Sequence, residues 1–326
     1  MLQLGILLIK HHRLLSVAAM LDVFESANRF LEQQGKPAYF QLHLLYPTMS
    51  RPPAFTDHPV HTLADSPPLQ LILIPSFGVA DIGQAVKLNT EAVGWLQQQR
   101  RAGAEIASVC TGSFLLAATG LLDQKPATTH IQAANIFARA YPKVQVKAGE
   151  VMTVRDGIYT GGGATNSFYL LLSLVEKYCG RELALSTAKY FGIDMDRDQQ
   201  AYFGTFIPVQ NHKDELVGEL QRRIQVSFKE AGTIEELLTE IPASRRNLSR
   251  RFKEATGYTP IEYLQRTRIE VAKRILEQTD GTILEVMLEA GYNDLKAFRQ
   301  LFRKNTGMTP TEYRGKFYRK KEIELA

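Results

Sequence analysis

At 326 residues the chain is longer than a typical single domain, so two compact units are expected, and its 44% hydrophobic and 22% charged residues exclude disorder as its default state. The net charge of +5 permits an acidic partner without establishing one; 22 Lys and Arg against 18 Asp and Glu from residue 213 onward place most of the excess in the C-terminal third. No apolar run reaches the length of a membrane span, and MLQLGILLIKHHR turns basic too soon for a secretory signal, so a cytoplasmic location and no membrane partner are expected.

In chain order, LQLGILLI, YFQLHLLY, LQLILIP and AEIASVC read as strands, with AAMLDVFESANRFLEQQ and TEAVGWLQQQRRAG as helices among them. That alternation predicts a parallel sheet covered by helices. SFLLAATGLL and the stretch 163–178 extend the pattern as helices, with YTGGGATNS as a glycine-rich turn before the second. GGGAT lacks the Gly-Lys-[Ser/Thr] ending of a phosphate loop. This first unit is expected to occupy residues 1–192.

Cys110 falls where AEIASVC ends and SFLLAATGLL begins, with Gly112 two residues on. The placement resembles a nucleophile elbow, a sharp turn that exposes a reactive side chain above a sheet. A helix N-terminus beside the sulfur would lower its pKa and attract an anion. His130, in PATTHIQ, is the candidate base or hydrogen-bond partner, weighed against an ordinary structural histidine. Cys179, at the helix end VEKYCG, reads as structural. The two cysteines lie far apart, and His11, His12, His43, His58 and His61 show no metal-like spacing, so no disulfide, metal or cofactor is expected.

SVCTGSFLLA, ATTH, GLLD at 120–123 and the glycine turn at 161–163 resemble the ThiJ/PfpI branch of the class I glutamine-amidotransferase-like fold over residues 4–192. The resemblance implies an α/β, flavodoxin-like parallel-sheet sandwich. It also implies a pocket around the elbow, walled by the backbone of Ser76–Phe77–Gly78 after the strand LILIP. Active relatives carry an acid six positions before the acid that precedes a V-F or V-M pair; counting back from Asp22 in DVF gives Ser16, which is no carboxylate. Thr111 stands where the proteolytic branch has His. The candidate pocket residues are thus Ser16, Asp22, Ser76, Gly78, Cys110, Thr111 and His130. Catalysis is disfavoured because proton transfer has lost its agent.

Residues 193–212 are polar, aperiodic and contain Gly204 and Pro208, which reads as a linker. Residues 213–326 read as all-helical. Within them RFKEATGYTPIEY (251–263) returns as LFRKNTGMTPTEY (301–313), and TIEELLTE (233–240) as TILEVMLE (282–289), so a two-helix unit is duplicated. Each copy has the mechanics of a helix-turn-helix: a first helix, a sharp turn at IPAS or AGYN, and a second helix anchored by Leu248 and Phe252 or by Phe298 and Phe302. The outward face presents Arg245, Arg246, Asn247, Ser249 and Arg250 in the first copy and Lys296, Arg299, Gln300 and Arg303 in the second. Arg pairs with guanine and Asn or Gln with adenine in a major groove, while Lys253 and Lys304 suit phosphate. A helix over Pro260–Gln278 would hold the copies as a pair entering successive grooves roughly 34 Å apart.

Here the sequence resembles the AraC/XylS family of transcription regulators, over residues 215–318, through its two G-x-T-P-x-x-Y endings. The resemblance implies that Arg246, Ser249, Arg250, Lys296, Arg299 and Gln300 face base edges of double-stranded DNA. It further implies a homodimer, with RNA polymerase as a partner where the protein activates. Met287 departs from the family, which usually has alanine there. The expectation is a sequence-specific DNA-binding transcription regulator controlled by a small-molecule effector or partner through a non-catalytic first unit. The alternative is a cysteine-dependent hydrolase or hydratase carrying a DNA-binding domain.

Overall fold

The computed structural model describes residues 1–47, 58–195, 206, 212–230, 233–239 and 241–318. The chain divides into two compact units, Met1–Gln200 and Ala201–Ala326. The expected linker at 193–212 lies largely outside the described residues.

The first unit runs β1 (Leu2–Leu7), α1 (Leu14–Gln33), β2 (Phe40–Tyr46), β3 (Val60–Thr62), β4 (Leu71–Ile74), α2 (Ile82–Lys87), α3 (Thr90–Arg101), β5 (Glu105–Val109), α4 (Gly112–Ala118), β6 (Pro126–Ala127), α5 (Ala134–Ala140), β7 (Gln145–Val146), β8 (Met152–Arg155), β9 (Ile158–Gly161), α6 (Ser167–Cys179) and α7 (Arg181–Phe191). Its main sheet has the order β3-β2-β1-β4-β5-β9-β8. Strands buried on both faces read as unbroken apolar runs, because alternate side chains serve opposite layers. Leu4, Ile6, Leu71 and Leu73 pack with Met20, Phe24, Leu171 and Leu183 on one face. Leu7, Ile72 and Ile74 pack with Trp95, Leu96, Phe114 and Phe137 on the other.

The main sheet is parallel as expected in every strand pair except one: β8 runs antiparallel to β9 at the edge, a hairpin that the sequence reading did not include. The cause is local. Asp156 (φ 51) and Gly157 (φ 69) form a two-residue turn with both residues left-handed, the geometry that folds a hairpin directly back.

Going from β1 the chain adds β2 and β3 on one side and then β4 on the other, so the strand order reverses between β1 and β4. Crevices at the carboxyl ends of strands beside such a reversal are where open α/β sheets bind ligands. The segments after β1, β4 and β5 meet there.

The second unit is helical: α8 (Glu215–Ser227), α9 (Ile234–Leu238), α10 (Arg245–Thr256), α11 (Pro260–Gln278), α12 (Ile283–Glu289), α13 (Leu295–Thr306) and α14 (Pro310–Phe317). It has two small cores. Leu248, Phe252, Tyr263 and Leu264 belong to one, and Ile269, Leu276, Phe298, Phe302 and Tyr313 to the other, so α11 is shared by both.

The repeated residues are joints rather than reading groups. Gly257 (φ 83) and Gly307 (φ 76) end α10 and α13 in the left-handed conformation that glycine tolerates. Thr259 and Thr309 then cap α11 and α14, each in a reciprocal capping box with Glu262 or Glu312, and proline follows at the first helical position. Phe252 meets Tyr263 edge-on at 5.2 Å, and Phe302 meets Tyr313 at 5.4 Å. Among the described residues no helix is long and apolar enough to cross a membrane.

Candidate functional site

Cys110 occupies a strained turn. Its φ of 53 is left-handed, unusual for a residue with a side chain, and its N–H donates to Gly161 O (2.9 Å) and Gly162 O (3.1 Å). Gly112 makes the turn fit: a Cβ there would stand 2.5 Å from Pro75 O and 2.8 Å from Ile74 O, both backbone atoms. The thiol side chain is buried, 6% exposed.

Around it several of the groups that could assist chemistry are already engaged. Ser16 Oγ donates to Arg13 O (2.8 Å) and accepts from Ser76 N and Ser76 Oγ (both 3.1 Å), which fills a hydroxyl's capacity. Thr111 Oγ1 accepts from Phe77 N (2.9 Å), and Gly78 N donates to His11 O (2.7 Å). The three backbone N–H groups of the Ser76–Gly78 turn are therefore spent within the protein. An oxyanion site needs such donors aimed at the reacting atom. His130 Nδ1 accepts from Gln132 N (3.2 Å); burial, then the nearby positive charge of Arg13, lowers its pKa, so the neutral ring carries its proton on Nε2. Its ring leaves no room for a side chain at Gly163, where a Cβ would come within 1.9 Å of His130 Cδ2.

These groups border a cavity of about 350 Å³. Five of the seven expected pocket residues line it: Ser16, Ser76, Cys110, Thr111 and His130. Asp22 does not, and is corrected: six residues along α1 from Ser16 its side chain is turned roughly 120° away, and it is exposed. Gly78 is corrected too; it is exposed beside the lining residues Phe77 and Val79, with its N–H drawn toward His11. The sequence reading missed Arg13, Leu15, Gln132, Ile136, Thr165 and Phe168 in the lining. Arg13 carried a signal, since it sits between the first apolar run and the first helix.

The second unit offers a cationic surface. Arg246, Asn247, Arg250, Lys296, Arg299, Gln300 and Arg303 are exposed on α10 and α13, and Ser249 is half-buried. Opposite them Leu248, Phe252, Phe298 and Phe302 are buried, so each helix is split into an anchoring and an outward face. Ser244 and Asp294 cap the two helices through their side chains.

Two family models match the chain: a helix-turn-helix domain over residues 237–316 and the DJ-1/PfpI family over residues 69–177. The HTH-type transcriptional regulator CdhR of Pseudomonas aeruginosa is 30% identical over 243 residues, 73% of this chain and 71% of that protein. The chain belongs to the AraC-type transcription regulators that carry a DJ-1/PfpI domain. A second relative, the HTH-type transcriptional regulator GbdR of the same species, is 28% identical over 240 residues; the match spans 72% of this chain and under two thirds, 64%, of GbdR. A solved AraC family transcriptional regulator from Pseudomonas putida aligns at 16% identity over 59% of this chain and all of that one, with a TM-score of 0.48.

In this AraC-type regulator the C-terminal unit is the DNA-binding domain, and its two helix-turn-helices are α9–α10 and α12–α13. The candidate reading residues differ in their freedom. Arg250 pairs with Glu254 (2.8 Å) and Arg245 with Glu235 (2.7 Å), whereas no ion pair among the described residues engages Lys296, Arg299 or Arg303. Arg251, on the same helix, is structural: two bonds of 2.7 Å tie it to Asp214. His43 and His61 touch at 3.1 Å, and no group of metal-ligating side chains is assembled among the described residues.

Proposed function

We propose that residues 1–192 sense a small molecule in the cavity beside Cys110, that residues 193–212 transmit its occupancy, and that residues 213–326 read DNA accordingly. The observation that carries the sensing half is the closed hydrogen bonding around the elbow. A cavity of about 350 Å³ is within reach of metabolite-sized ligands, while the Ser16 hydroxyl and the three N–H groups of the Ser76–Gly78 turn are committed to the protein itself and neither Asp nor Glu is among the lining residues to move a proton. Binding without turnover is the chemistry left.

For the reading half, α11 spans 19 residues and is therefore about 28 Å long, and each end of it is packed against one helix-turn-helix. A spacer of that length suits two reading helices set in successive major grooves on one side of a duplex. Arg246, Ser249 and Arg250 from α10, and Lys296, Arg299 and Gln300 from α13, would contact base edges; Arg245, Asn247 and Arg303 would complete the cationic face. A homodimer would place two such pairs on DNA, with RNA polymerase as a further partner where the protein activates. Effector control requires the ligand to favour one DNA-binding arrangement over another.

A reporter driven by the operator the full chain selects, read across growth conditions, tests this. Cys110→Ser is expected to keep the response, because the proposed sensing forms no covalent bond between effector and thiol. Ile136→Trp, at an exposed position of the lining, is expected to abolish the response and leave operator affinity unchanged. Loss of the response in Cys110→Ser together with its survival in Ile136→Trp would overturn the sensing reading.

A further inference from the structure

We infer that the cavity takes a small organic monoanion, a carboxylic acid with an apolar body, whose carboxylate is gripped by Arg13. This rests on the cavity being the effector site. Arg13 is the one Lys or Arg among the lining residues, and neither Asp nor Glu is among them. No ion pair among the described residues engages its guanidinium. Its backbone is fixed at the rim, because Arg13 N donates to Ser76 O (2.7 Å) and Arg13 O accepts from Ser16 Oγ (2.8 Å).

The unspent polar capacity of the lining is rich in donors. Ser16 and Thr111 are consumed by the backbone around the elbow, and Ser76 Oγ gives its proton to Ser16. What remains beside the Arg13 guanidinium is the Nε2–H of neutral His130, the Thr165 hydroxyl and the side-chain amide of Gln132, all of which can donate. A carboxylate accepts only, and it matches such a set with one charge against one charge. A phosphate dianion would keep a second charge without a counter-ion. An ammonium group would meet Arg13 with no acid to offset the repulsion. Leu15, Val79, Ile82, Ile136 and Phe168 supply the apolar lining for the rest of the molecule.

The test titrates the full chain calorimetrically with benzoate and hexanoate, with benzamide and hexanamide as neutral isosteres, and with inorganic phosphate. The expected result is binding of at least one carboxylate, with its amide and phosphate weaker by about tenfold or more, the scale of a lost charge-assisted bond. Arg13→Gln should weaken the carboxylate by a similar factor and leave the amide unchanged, while Arg13→Lys should retain part of the preference. Equal affinity for acid and amide, indifference to Arg13→Gln, tighter binding of phosphate, or no binding of any probe each overturns the assignment. The pocket reading itself is decided separately, by the paired responses of the Cys110→Ser and Ile136→Trp reporter strains.

Discussion

Replacing Ser16 with alanine isolates the hydrogen-bond node that stands where active relatives hold an acid. The hydroxyl makes one bond to Arg13 O and receives two from Ser76, whose residue is 1% exposed. In the variant the Ser76 hydroxyl can rotate toward another acceptor, but the Ser76 N–H cannot. A buried donor left unmatched costs about 1–3 kcal/mol, and removing one side-chain atom adds little cavity on top. At an m-value of about 2 kcal/mol per molar urea, the midpoint of the first unit should fall by roughly 0.5–1.5 M. The single tryptophan, Trp95, is buried in α3 of that unit, so its fluorescence follows this unfolding alone. Ser173→Ala is the control: its hydroxyl bonds only Leu170 O within the same helix, and its loss should cost below about 0.5 kcal/mol. A Ser16→Ala midpoint indistinguishable from that control would refute the reasoning.

Met287→Ala restores the residue usual in the family yet should destabilise the second unit by about 2–4 kcal/mol, because Met287 is 2% exposed within the second helical core; helical circular dichroism in urea measures it, and a loss below about 1 kcal/mol would contradict the packing. The Arg251 guanidinium holds the Asp214 carboxyl below its ordinary range, aided by the Val217 N–H at the start of α8. A carboxyl lowered by folding adds stability above its unfolded pKa, near 4, and that stability is lost as pH falls through the lower folded value. Asp214→Asn should therefore be less stable than the parent at pH 7 and converge with it in acid; a gap that persists below pH 2 would sink the assignment.

Much of the fold was legible because strong local patterns coincide with the tertiary demands. The strand runs LQLGILLI, polar only at the half-buried Gln3, and LILI are apolar because both faces of the sheet are covered, and Pro260–Gln278 is bounded by a Thr-Pro start and an extended residue at its end. The β8–β9 hairpin was equally legible and was missed. Its Asp156–Gly157 pair between short apolar runs is a direct hairpin signal, overlooked because the glycine turn that follows drew the reading toward a loop. The pocket was half legible. Cys110, Thr111 and His130 lie in recognisable strings, but which face of α1 reaches them depends on helix phase, so Ser16 lines the cavity and Asp22 does not. Arg13, Gln132 and Phe168 come from separate loops and helices whose convergence no local pattern encodes. Exposure of the reading faces on α10 and α13 followed from four-residue spacing; the Arg250–Glu254 pair did not, since it depends on which way two long side chains bend.

The central claim is that α10 and α13 read bases in neighbouring grooves. It is tested most directly by selecting duplexes from a random pool with the full chain and measuring affinity for the selected and a shuffled sequence at several salt concentrations. The account predicts two half-sites about 10 base pairs apart. It also predicts that Arg250→Ala and Arg299→Ala each weaken the selected site by about 1–3 kcal/mol more than the shuffled one. Equal affinity of the parent chain for selected and shuffled duplexes, with the same salt dependence, would contradict it.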